Sequence, residues 1–148
     1  MIRSLDELSI ENRENYDKVM QYLMNYAMFD LKIGVEFTNK LPPLAPPISY
    51  NKPGKLIIMN SNWIYPVQIP FLLAHEIGHV IHENQEFYHL NSMNTAKGEA
   101  EENLFALKLL HQYCIENEIY FNNIFAFAAA FGIPHNKWYI LADQQVIN

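Results

Sequence analysis

The sequence predicts an α+β fold, a small and mostly helical domain in which a short β-sheet precedes one chemically distinctive helix. Three observations lead there. Apolar residues recur at helical spacing through Tyr16, Val19, Met20, Leu23 and Ala27. Two short runs, Ile33 to Phe37 and Lys55 to Met59, have the β-branched and aromatic character of strands. The apolar stretch Phe71-Leu72-Leu73-Ala74 leads into His75-Glu76-Ile77-Gly78-His79 and out through Val80-Ile81.

Taken in order, Ser4 with Glu7 makes a capping box, and the first amphipathic helix runs to about Phe29. A short strand follows at Ile33 to Phe37. Leu41 to Gly54 carries five prolines and reads as a long irregular loop. Lys55 to Met59 is the second strand, with an edge free to pair with an extended peptide. Pro66 and Pro70 bracket the start of the next helix, because proline is tolerated only in a first turn, and that helix extends to about Glu83. A second long helix is expected from about Thr95 to Ile115, its face marked by Phe105, Leu109 and Tyr113. Phe121 to Phe131 reads as a third helix, ended by Gly132 and Pro134, and a short helix from Asn136 to Gln144 closes the chain.

Length and composition agree with a single domain over residues 1–148: half of the residues are hydrophobic, enough for one sizeable core and too few residues for two. The net charge is -6 with no stripe of Lys and Arg, which argues against direct binding to nucleic acid and for a protein partner. No apolar stretch reaches the length of a membrane span, and no charged start with a cleavage site follows Met1, so no membrane association and a cytoplasmic location are expected. The single Cys114 reads as core packing without a catalytic role.

The pentad His75 to His79 carries the chemistry. Histidines four apart on a helix stack on one face, and two imidazoles leaning together supply nitrogens about 3.4 Å apart, as adjacent corners of a tetrahedral zinc require. Glu76 stands about 100° round the helix from His75, placed to act as general base beside the metal without ligating it. A buried helix has no packing reason to hold two imidazoles and a carboxylate in an apolar centre.

A third ligand must come from elsewhere. The position ten residues after His75 is Gln85, which excludes a metzincin arrangement. His82 lies too far along the helix axis to join the same ion and is expected to cap the helix end. Glu83, Glu86 and His89 ligate only if the chain turns back sharply. The stronger candidate is Glu99-Ala100-Glu101-Glu102-Asn103, in which Glu99 and Asn103 lie one turn apart, so that a ligating carboxylate has an amide beside it. Glu101 points nearly opposite to Glu99, and Glu102 is the runner-up ligand.

These blocks resemble the ImmA/IrrE-type zinc metallopeptidases of bacteria, phages and mobile elements, with gluzincin-like chemistry. The resemblance rests on Leu73 to His82 and on Glu99 to Ala106 followed by Leu109-Leu110. It departs at Glu102, where the family usually has alanine. The resemblance implies a zincin-like fold, Zn2+ on His75, His79 and Glu99, and Glu76 as catalytic base. It further implies cleavage of a helix-turn-helix repressor or a similar regulator. The alternative is a non-proteolytic antirepressor that binds such a partner and retains the metal site. For the oxyanion donor the sequence offers Tyr50, Tyr65, His89 and His111 without choosing among them.

Overall fold

The computed structural model describes residues 10–82 and 92–138, and among these it shows an α+β domain in which helix predominates. Helix α1 spans Ile10–Asn25 and widens into a π-helical turn, Tyr26–Asp30. Strand β1 is Gly34–Thr38, β2 is Ile48–Tyr50 and β3 is Leu56–Asn60. A 3-10 turn, Pro66–Gln68, leads into α2, Ile69–His82. Helix α3 is Ser92–Glu116, α4 is Ile124–Ala130, and a last 3-10 turn covers His135–Lys137.

The two anticipated strands fall where expected, but the proline-rich segment is not irregular throughout, since Ile48–Tyr50 forms β2 within it. The sheet order is β1-β3-β2, with β1 parallel to β3 and β2 antiparallel to it. The edge expected to be free on Lys55 to Met59 is therefore occupied, because β3 is the central strand. Among the described residues the open edge nearest the His75–His79 pentad belongs to β2. A three-residue strand carries no period of its own; it exists because β3 offers its backbone groups a ladder.

Helix α2 is the centre of the domain. Ten of its residues are buried, on every side of the helix, and it packs against α1, α3, β2 and β3. Its entry is set by proline: Pro66 opens the 3-10 turn and Pro70 lies in the first turn of α2, where a missing N–H breaks no ladder bond. The Tyr16 hydroxyl donates to the Pro66 carbonyl at 3.0 Å and ties α1 to this entry.

Val19 and Leu23 of α1, Ala27 of the π-helical turn, Ile57 and Met59 of β3, Leu73, Ala74 and Ile77 of α2 and Phe127 of α4 share one core. On α3 the buried face is centred on Ala106, Leu107, Leu110, Tyr113 and Cys114, whereas Phe105 and Leu109 are only half-buried at its margins. Of the expected face Tyr113 is buried, while Phe105 and Leu109 stand at its edge. The small Ala106, fully buried, sits where α3 approaches its neighbours, and the bulkier rings and branches flank the contact.

Helix α4 is shorter than the apolar run that suggested it. The Asn123 side chain caps it, accepting from the Ala126 amide at 2.9 Å, and the chain leaves through Gly132 at φ 62°. A Cβ there would lie 2.5 Å from the Val67 carbonyl oxygen, so both conformation and space demand glycine. The Ser4–Glu7 capping box and most of the proposed Asn136 to Gln144 helix lie outside the described residues.

Candidate metal centre

Helix α2 delivers two imidazoles to one point. His75 Nε2 and His79 Nε2 are 3.1 Å apart, with ring centroids 4.7 Å apart and planes at 77°. Glu99, on the first half of α3, spans them: its Oε2 lies 3.0 Å from His75 Nε2 and its Oε1 2.9 Å from His79 Nε2. Among the described residues these three form the one group of His, Cys, Asp or Glu able to hold a metal ion. A tetrahedral ion wants donors about 3.4 Å apart, so the triangle needs to open by only a few tenths of an ångström.

Two imidazoles and a carboxylate are a donor set for a first-row divalent ion. A buried polar atom supports that fit. His75 Nδ1 has no hydrogen-bond partner among the described residues, nor does the side-chain oxygen of Asn103, one turn beyond Glu99 and almost fully buried. A ligating histidine is ordinarily oriented by an acceptor at its second ring nitrogen; Asn103 and His75 line the same cavity, but no hydrogen bond joins them.

Glu76 is buried, with Oε2 4.0 Å from His75 Nε2, beside the donor triangle and outside it. Burial pushes its carboxyl pKa up; the charges of His79 and His75 and a hydrogen bond from Ser49 pull it back without cancelling the rise. Glu99 moves the opposite way. Hydrogen bonds from His75 and His79 hold it well below the usual carboxylate range, against a smaller effect of burial. For His79, burial favours the neutral ring, but the Glu99 hydrogen bond and the charges of Glu76, Glu99 and Glu102 outweigh it and raise the pKa.

The runner-up ligand is elsewhere. Glu102 is fully buried and both of its oxygens lie 3.0 Å from His82 Nδ1. His82 stands in the last turn of α2, as expected, and its Nδ1 faces Glu102 as well. A buried carboxylate requires a donor, and among the described residues His82, two turns beyond His75, reaches it. The pair closes over Gly78, where a Cβ would come within 2.5 Å of Glu102 Oε2 and 2.9 Å of Phe105 Cδ1. Glu83, Glu86 and His89 lie outside the described residues.

The donor triangle opens into a cavity of about 500 Å³. One wall is the proline loop with β2, through Pro46, Pro47, Ile48 and Ser49; Phe71 and Leu72 of α2 add apolar surface, and Pro134 and Lys137 form a further wall. The proline loop is held by two side chains. Asn60 Nδ2 donates to the carbonyls of Pro42 and Ala45 at 2.7 and 3.0 Å, and Asn62 Nδ2 to those of Asn39 and Leu41 at 2.7 and 3.1 Å.

Neither Ser49 nor Lys137 was among the residues singled out by sequence. The trace of Ser49 is a small polar residue between Ile48 and Tyr50, just after Pro46-Pro47; Lys137 left no local signal. Of the possible oxyanion donors, Tyr50, Tyr65 and His111 do not line the cavity. His111 instead meets Phe127 edge-on, with centroids 6.4 Å apart. Among the described residues no helix is long and apolar enough to cross a membrane. Comparisons of the chain with protein-family models, with curated proteins and with solved structures find no match, so the residues of the centre are the ground for any functional reading.

Proposed function

We propose that this chain is a zinc-dependent endopeptidase. The observation that carries the proposal is the triangle of His75 Nε2, His79 Nε2 and the Glu99 carboxylate, with edges of 2.9 to 3.1 Å, on the wall of an open cavity with a buried, non-ligating Glu76 beside it. A structural site would close its coordination with protein and would have no use for an adjacent base.

Bound zinc supplies a Lewis acid for the scissile carbonyl and lowers the pKa of water to about 7. Glu76 takes the proton at its carboxylate and returns it to the leaving amine. The raised pKa of its carboxyl suits that exchange, since a base works best when its own affinity for the proton is near that of the donor. Ser49, hydrogen-bonded to Glu76, fixes the carboxylate against β2. The open edge of β2 lines the same cavity and is suited to align an extended peptide across it by backbone pairing.

The resemblance to ImmA/IrrE-type peptidases supports a helix-turn-helix repressor or similar regulator as substrate in the cytoplasm, and the net charge of -6 suits a basic partner. The test is purification with zinc, elemental analysis, and incubation with a quenched fluorogenic peptide mixture and with a co-expressed repressor. Wild type is expected to bind one zinc per chain and cleave. Glu76→Gln is expected to bind zinc and not cleave. Equal cleavage by both would overturn the assignment of Glu76.

A further inference from the structure

The wall of the cavity formed by Pro134 and Lys137 contains the one Lys or Arg that lines it among the described residues. Its position is built into the fold. Gly132 packs against the Val67 carbonyl, Ile133 is buried, the Trp138 indole donates to the Ile133 carbonyl at 2.9 Å, and the Lys137 amide donates to the Pro134 carbonyl at 2.9 Å. His135 and Trp138 stack with centroids 4.3 Å apart and stiffen the turn from either side of Lys137. The lysine is half-buried, and no carboxylate among the described residues pairs with its ammonium.

We propose that Lys137 selects substrates that present a carboxylate on this side of the scissile bond, either an Asp or Glu side chain or the α-carboxylate of a chain end. This deepens, and rests on, the peptidase reading. Pro46, Pro47, Ile48, Phe71 and Leu72 give much of the cavity an apolar surface, so the half-buried Lys137 acts in partly dehydrated surroundings. A divalent ion offsets the charges of Glu76 and Glu99, which leaves the ammonium to set the net charge of the cavity. An oxyanion donor has to be held in place before the reaction. Lys137, a point charge on a flexible stem with no ion-pair partner among the described residues, fits charge recognition better.

The experiment uses the zinc-loaded chain carrying Glu76→Gln and fluorescein-labelled octapeptides, matched in pairs with Glu or Gln at each position and with a free or amidated C-terminus. Binding is read by anisotropy at low and high salt. The carboxylate member of a pair is expected to bind about threefold to tenfold more tightly, with the ratio shrinking as salt screens it. Lys137→Met should bring the ratio to one, Lys137→Glu should invert it and Lys137→Arg should keep it. A ratio confined to free C-termini identifies the chain end as the source, and one that persists in amidated peptides identifies the side chain.

Equal affinities within every pair, or no measurable binding of any peptide, would overturn the proposal. So would a Lys137→Met enzyme that slows cleavage of all peptides alike with its preferences unchanged. Carboxylate-selective binding without cleavage by wild type would refute the peptidase reading and leave the role of Lys137 standing.

Discussion

Gly78→Ala places the central contact between α2 and α3 under direct test. In isolation the change favours a helix by about 1 kcal/mol. Here the added methyl would lie 2.5 Å from Glu102 Oε2 and 2.9 Å from Phe105 Cδ1, when ordinary contact begins at 3.4 Å. Overpacking of a buried site costs about 1–3 kcal/mol. Glu102 can retreat only by loosening its 3.0 Å contact with His82, and an unpaired buried carboxylate costs about 3–5 kcal/mol when the separation is complete. With partial loosening, and less the gain in helix propensity, the net destabilisation is about 2–4 kcal/mol, or roughly 5–15 °C in melting temperature for a chain of this size.

Urea and thermal unfolding followed by circular dichroism measure it, with Gly54→Ala as control, since a Cβ at Gly54 meets nothing within 4 Å. Gly78→Ala with Glu102→Ala should recover about 1–2 kcal/mol relative to the sum of the single changes, because the methyl then enters space the carboxylate has left. A Gly78→Ala protein as stable as wild type, or strict additivity in the double variant, would refute the reasoning.

Four further outcomes follow from the centre and the core. Glu99→Ala should lower zinc affinity by at least about a hundredfold in chelator competition, whereas Glu102→Ala should change it by less than tenfold while lowering stability. Asn103→Leu should leave zinc affinity within about threefold of wild type, because no hydrogen bond joins the Asn103 oxygen to His75 Nδ1, and a tenfold loss would show that Asn103 orients the ring once the ion is bound. Zinc affinity should fall on acidification from a pH above that of free imidazole, with protons released on binding near pH 7. His79 has its pKa raised and must lose its proton to ligate, while Glu99, with its pKa lowered, is already ionised there; calorimetry in buffers of different ionisation enthalpy reads the proton count. Tyr16, pushed up to about 12 by burial and by Asp17 against the opposing charge of Arg13, keeps its proton in the folded state when the unfolded chain has lost it. Its contribution is therefore intact below about pH 10 and fades as pH rises to 12, by at most about 2–3 kcal/mol, and Tyr16→Phe should flatten that part of the alkaline unfolding profile.

The parts of the centre that were legible in sequence are those whose geometry is local. Two histidines four apart, and Glu99 one turn before Asn103, share faces because of helix periodicity alone, and α2 and α3 needed only to pack for the triangle to close. The parts that were not legible depend on the rest of the fold. Strand β2 is too short to show alternation and lies among prolines, so only its pairing with β3 reveals it, and with it Ser49. His82 and Glu102 are 20 residues apart and choose each other because a buried carboxylate must be satisfied, a condition visible only once burial is known. Lys137 reaches the cavity through a glycine-permitted exit from α4 that brings two distant segments to one wall.

The open rim of β2 is three residues long, and it joins a cavity bordered by a loop pinned through Asn60 and Asn62. On the peptidase reading, pairing along this rim takes an extended segment, so a target must first give up local structure to enter. How readily such a target is cut would then depend on how often its own segment breathes open, and a ligand or partner that braces the target would shield it without ever touching this chain.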